Sequence, residues 1–202
     1  MSSASRDSSL PVLQAEIRAC RKCVTAGYIP EARPLVLGQP GATIFLIGQA
    51  PSRTDHESGR FYEGPAGRKL RGWFLEAGFQ ESDFGTRIYA AAITKCFPGR
   101  NPGSSKDRVP SPAEQKLCRP WLDAELAAVQ PRAVVLFGGL AIKTFLSKAP
   151  LEELIGQVFE RDDGRVYLPL PHSSGASTWL NSAHNQSLLA KALEQLKELR
   201  NV

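Results

Sequence analysis

The chemistry this 202-residue chain can offer is concentrated in four cysteines and two short segments rich in small residues. Cys20 and Cys23 form a Cys-x-x-Cys, and Cys96 and Cys118 stand singly farther along. One close pair and two separated singles can bring four thiolates to one site, and tetrahedral sulfur ligation suits either zinc or an iron–sulfur cluster. Buried, inert thiols are the competing reading for Cys96 and Cys118. A disulfide framework belongs to oxidising compartments, and the polar, Ser-rich N-terminus has no apolar signal core, so ligation is favoured over cross-linking. A redox pair of the thioredoxin kind would follow the first strand of a sheet, whereas this pair precedes every strand-like run.

The two segments are Gly48-Gln49-Ala50-Pro51-Ser52 and His172-Ser173-Ser174-Gly175. Each follows an apolar run of strand length. Four such runs occur, at 43–47, 88–93, 133–137 and 166–170, with helical patterns at 10–19, 66–77, 111–129, 141–146 and 183–199 between and around them. Near-continuous apolar strands are what a parallel sheet buried on both faces demands. The alternation predicts a three-layer α/β/α sandwich around a parallel sheet of about four strands. Ser111-Pro112-Ala113-Glu114 is a capping box with proline at the first helical position. Residues 1–9 are expected to be disordered and 10–202 to form a single domain. In such sheets ligands collect beyond the carboxyl ends of the strands, where both segments fall.

Hydrophobic residues make up 42% of the chain, enough for an ordinary core, and no apolar run is long enough for a membrane helix. The expected compartment is the cytoplasm, or the nucleoid within it. A net charge of +5 favours a polyanionic partner, though only mildly.

Taken in order, these segments resemble the uracil-DNA glycosylase superfamily, closest to its iron–sulfur branches, families 4 and 5. The resemblance begins with the N-terminal Cys-x-x-Cys. The run Ile44-Phe45-Leu46-Ile47 then opens into Gly48-Gln49-Ala50-Pro51, similar to a Gly-Glu-Ala-Pro motif. Gly59-Arg60-Phe61-Tyr62-Glu63-Gly64-Pro65-Ala66-Gly67 is similar to Gly-Arg-Pro-Phe-Val-Gly-x-Ala-Gly. Ile93-Thr94-Lys95-Cys96-Phe97-Pro98 resembles the third-cysteine motif, and Pro112-x-Glu114 with Cys118-x-x-Trp121-Leu122 the fourth. The histidine segment completes the order.

The resemblance implies a [4Fe–4S] cluster on Cys20, Cys23, Cys96 and Cys118 that ties the N-terminal segment to the sheet. It implies a monomeric DNA glycosylase whose partner is DNA carrying a deaminated base, with no membrane involved. His172 would hydrogen-bond the uracil O2 as negative charge builds. Gln49 and Ala50 would border the base and sugar, Ala92 would lie at its edge, and Tyr62 would stack on it, core packing being the alternative for Tyr62. Pro51 and Ser52 would contact the DNA backbone. The loop of Ser173, Ser174 and Gly175, followed by Trp179, would enter the minor groove, anchoring of the loop to the domain being the alternative for Trp179. On its composition alone, the Gly- and Pro-rich basic stretch of Lys95, Arg100, Lys106 and Arg108 reads as a track for phosphates, a solvated loop being the alternative.

Several positions depart from the pattern. Gln49 replaces a glutamate, Ala92 replaces the asparagine that reads the uracil edge, Pro65 stands where family 5 has an aspartate, and His-Pro-Ser has become His172-Ser173-Ser174. Asp55 and Glu57 are the carboxylates left to orient water. The 97–110 loop has no histidine, so covalent trapping of DNA is not expected. Loss of the asparagine points to broadened specificity, with hypoxanthine or xanthine as further substrates. A catalytically silent, lesion-recognising DNA-binding protein is the alternative, and a zinc-bound structural adapter a third reading.

Overall fold

A computed structural model describes residues 9–174 and 178–201. Most of the expected disordered segment, residues 1–8, lies outside the described residues. Ser9 is the residue preceding helix α1 (Leu10–Ala19), which a short α2 (Lys22–Thr25) follows.

Four five-residue strands, β1 (Ile44–Gly48), β2 (Ile88–Ala92), β3 (Ala133–Phe137) and β5 (Val166–Leu170), pair in parallel. Every residue of the first three is buried, as expected for a sheet covered on both faces. The sheet has five strands rather than four. The addition is β4 (Phe159–Glu160), antiparallel to β5, giving the order β2-β1-β3-β5-β4. Two residues at an edge, one of them an exposed glutamate, leave no periodic signal.

Helices α3 (Arg53–Ser58), α4 (Pro65–Glu76), α5 (Pro112–Val129), α6 (Gly139–Phe145), α7 (Leu151–Leu154) and α8 (Ala183–Glu198) complete the layers. Helix α1 packs on α5, and α4 on α8. The Ser111 capping box is present with Pro112 opening α5, and Pro65 opens α4 in the same way. Among the described residues no helix is long and apolar enough to cross a membrane.

One charged pair sits inside this core. Lys95 Nζ, expected to track phosphates, is instead an ion-pair partner of Glu125, and the two side chains are 2% and 0% exposed. The Lys95 ammonium also donates to the Ala92 carbonyl at 3.3 Å. Glu125 Oε1 accepts from Tyr89 Oη at 3.0 Å, and Gln14 reaches both Tyr89 Oη and the Gly38 carbonyl. Helix α1, strand β2 and helix α5 are thereby joined through buried polar groups. Removing one member leaves the other charge buried and unpaired. Glu125→Ala is therefore expected to lower unfolding free energy by about 3–5 kcal/mol in urea titrations. Replacing both partners with apolar residues should recover most of that loss, and an unchanged Glu125→Ala protein would contradict the assignment.

Candidate functional site

Strand β1 ends at Gly48, and the chain leaves the sheet through Gln49, Ala50 and Pro51. Ser52 caps α3: its Oγ accepts from Asp55 N at 3.2 Å, while Asp55 Oδ2 accepts from Ser52 N at 3.0 Å. Asp55 Oδ1 accepts from Glu63 N at 2.8 Å. This carboxylate, 5% exposed, closes residues 52–63 into a loop that returns over the sheet end. Gly59 ends α3 with φ 75°, the left-handed conformation natural to glycine.

The return places Tyr62 at φ 64°, left-handed for a residue with a side chain, at a cost of about 1–3 kcal/mol. Its backbone is pressed by α4, since a Cβ at Gly67 would lie 2.3 Å from Tyr62 Cα. The ring packs among Phe61, Phe84 and Phe137.

On the far side, His172 follows β5 by two residues. Its ring stacks on Phe137 with centroids 5.0 Å apart and rests against Gly138, where a Cβ would lie 3.2 Å from His172 Cδ2. Ser174 N donates to His172 Nδ1 at 3.2 Å. A backbone N–H only donates, so Nδ1 is the acceptor and the neutral ring carries its proton on Nε2. Burial lowers the imidazole pKa, which favours that neutral form. Ser173, 3% exposed, donates from Oγ to the Ala66 carbonyl at 2.6 Å and ties the histidine segment to the start of α4.

These walls enclose a cleft of about 710 Å³ beyond the carboxyl ends of the strands. Gln49, Ala50, Pro51, Ser52, Asp55, Tyr62, Ala92, His172, Ser173 and Ser174 all line it. Glu57 is not brought to it: the carboxylate is paired with Arg53 on the exposed face of α3. Asp55 reaches the cleft, but each of its oxygens already accepts a backbone N–H. Trp179 stands on a turn of 3-10 helix, Trp179–Asn181, with its indole packed against the core. Gly175 lies outside the described residues.

The cleft also holds residues that the sequence did not single out. Phe137 supplies the platform for His172. Arg53, Lys69 and Asp107 stand on its walls. Asp107 accepts from Arg53 N at 3.3 Å, and burial raises its carboxyl pKa. Arg100 and Lys106 of the basic loop line the cleft. Arg108 does too, but its guanidinium pairs with Glu114 at 2.7 Å.

The four cysteines line a second, smaller hollow together with Lys95, Glu114 and Trp121. All four are free thiols. Trp121 Nε1 donates to Cys20 Sγ and Lys95 N to Cys118 Sγ, each at 3.3 Å. Burial, reinforced by neighbouring thiols, pushes the Cys23 pKa up to about 11 and that of Cys96 to about 12. Four thiols thus share one electrostatic neighbourhood. Among the described residues, no three acidic, histidine or cysteine side chains form a group suited to a single metal ion.

A family model of the uracil DNA glycosylase superfamily matches residues 35–197. The chain is similar to the type-4 uracil-DNA glycosylase of Archaeoglobus fulgidus, 29% identical over 163 residues, covering 79% of this chain and 73% of the relative. The type-4 enzyme of Thermotoga maritima is 24% identical over 172 residues, 84% of this chain and 83% of its own length. A type-5 uracil-DNA glycosylase of Pyrobaculum aerophilum is 29% identical over 121 residues, 54% and 50% of the two chains.

The histidine geometry has a pH consequence. With a folded pKa below the ordinary 6.5, the native state binds fewer protons than the unfolded chain. The stability this contributes is present above the unfolded pKa and is lost as pH falls through it towards the folded value. A titration of the His172 ring resonances should show a midpoint below 6.5, with the proton on Nε2 above it. A midpoint above 6.5 would contradict the buried, neutral assignment.

Proposed function

The chain belongs to the uracil DNA glycosylase superfamily, and on that premise we propose that it removes uracil from DNA by hydrolysing the N-glycosidic bond. The observation that carries this reading is the place of His172, its Nδ1 accepting from Ser174 N, on the wall of the cleft that the β1 turn also lines. The named relatives are uracil-DNA glycosylases, which supports the same conclusion.

A base inside a duplex is out of reach, so the substrate nucleotide is extruded into the cleft. There the Tyr62 ring and the Gln49–Ala50 turn border the base, while Ser52 and Ser174 lie towards the DNA backbone; Pro51 and Ser173, expected to touch DNA, are buried and shape the turns instead. As the bond from the sugar to the base breaks, its electron pair stays with the base and the sugar becomes oxocarbenium-like. His172 donates from Nε2 to the base oxygen on which that charge collects, and water adds to the sugar carbon. A neutral imidazole suits this task because the Ser174 N–H at Nδ1 holds the ring in place, leaving Nε2–H to donate with little reorganisation. Lys69, Arg100 and Lys106 give the rim the positive charge that phosphates need. With only a methyl group at Ala92, hypoxanthine and xanthine enter the substrate range as well.

Four cysteine sulfurs lining one hollow support a [4Fe–4S] cluster, a group that takes four thiolates. Cys20 and Cys23 from the N-terminal segment, Cys96 beyond β2 and Cys118 on α5 would hold it. When bound it supplies metal–sulfur bonds that staple α1 and α2 to the sheet. Its place outside the base cleft supports a structural role.

Two outcomes are expected. His172→Ala should reduce release of free uracil from a uracil-containing duplex about 10²–10³-fold while leaving DNA binding nearly intact. If the wild-type protein binds such DNA and releases nothing, it is a silent lesion recogniser instead. Protein prepared without oxygen should carry iron and acid-labile sulfide in equal amounts, with visible absorbance lost in Cys96→Ala. Stoichiometric zinc and a colourless protein would overturn the cluster assignment.

A further inference from the structure

Two of the cysteine sulfurs receive N–H donors from distant parts of the chain. Lys95 N reaches Cys118 Sγ and Trp121 Nε1 reaches Cys20 Sγ, each at 3.3 Å. The first donor belongs to the backbone. The second belongs to a side chain, so a substitution can remove it and leave the main chain in place. The Trp121 ring is partly buried against the core, and a phenylalanine could pack there while offering no proton to sulfur.

Helix α5 sets this geometry. Trp121 follows Cys118 by one helical turn, so the two share a face, and both line the hollow. One helix therefore supplies a sulfur and also a donor to another sulfur, 101 positions earlier at the end of α1. A cation completes the contact. Lys22, between Cys20 and Cys23, lines the same hollow and places its Nζ 5.0 Å from the centre of the Trp121 ring. A cation held on the ring face draws electron density from the indole, which leaves the N–H a stronger donor.

We propose that Trp121 is a positioning residue for the cluster, its indole N–H holding the Cys20 sulfur and raising the reduction potential of the group bound there. This rests on the [4Fe–4S] reading of the cysteine hollow and deepens it. An electron added to an iron–sulfur group puts negative charge on its sulfurs, and N–H donors aimed at them favour the reduced form. Stapling α1 and α2 to the sheet needs only the four thiolates. The bond from α5 to the N-terminal ligand adds control over how readily the site accepts an electron.

The test compares wild type with Trp121→Phe, both prepared without oxygen and assayed for iron and sulfide. Each is titrated with a buffered one-electron reductant while absorbance and electron paramagnetic resonance are followed. The Trp121→Phe midpoint should be lower. At the wild-type midpoint its reduced-to-oxidised ratio should fall about 3–10-fold, one decade being about 59 mV. A role in packing alone would leave the potential where it was. A second measurement needs no variant, and it decides alone if Trp121→Phe does not take up iron. Wild type carrying nitrogen-15 in its indoles is reduced by irradiation at liquid-nitrogen temperature. Among the described residues Trp121 is the one tryptophan lining the hollow, so a nitrogen-15 hyperfine coupling to the reduced group is expected from it. Equal midpoints in two loaded proteins, or no such coupling, would overturn this proposal and leave the cluster reading standing. Wild type without iron and sulfide would end both.

Discussion

A buried carboxylate with two backbone partners is the constraint on which the site depends. Asp55 holds Ser52 N with one oxygen and Glu63 N with the other. Without those bonds residues 52–63 would be an ordinary surface excursion, and nothing would oblige Tyr62 to return over the end of β1. A buried carboxylate is expensive to desolvate, and two N–H donors, with the start of α3 beside it, provide the compensation. The strain at Tyr62 is therefore supported locally, by Asp55 on one side and by close approach of Gly67 on the other.

The opposite wall is built by similar means from different parts. Phe137 at the end of β3 gives His172 a flat surface, Gly138 leaves room for the ring, and Ser173 fastens the segment to Ala66. Ala66 belongs to α4, the helix that also presses on Tyr62. One helix start thus sets the spacing of both walls, and a parallel sheet buried on both faces supplies the rigid base beneath them. The cysteine hollow lies beside this arrangement, connected to it through Lys95, whose backbone N–H meets Cys118 and whose ammonium meets the Ala92 carbonyl.

Much of this was legible in the sequence because it is periodic or ordered. Four apolar runs separated by helical patterns marked the main strands, and the placement of His172 and the Gly48–Ser52 segment after two of them put both at one end of the sheet. The cysteine spacing marked candidate ligands without saying that all four line one hollow. Asp55 was legible only as a carboxylate near the motif: Ser-x-x-Asp reads as a cap only once α3 is known, and its bond to Glu63 spans eight residues. Lys95 looked like part of a basic loop, since charge alone does not say which lysine has a buried glutamate 30 positions later. The left-handed Tyr62 left no trace, because a tyrosine there violates the local preference that a glycine would have announced. Phe137 was visible as the end of a strand and not as the platform of a histidine.

A crystal structure of the protein bound to duplex DNA containing 2′-fluoro-deoxyuridine tests the central claim most directly. The expected result is an extruded uracil in the cleft, bordered by the Tyr62 ring, with His172 Nε2 about 2.7–3.1 Å from the base O2. A uracil that stays stacked in the duplex, or that sits away from the space between Tyr62 and His172, would contradict it.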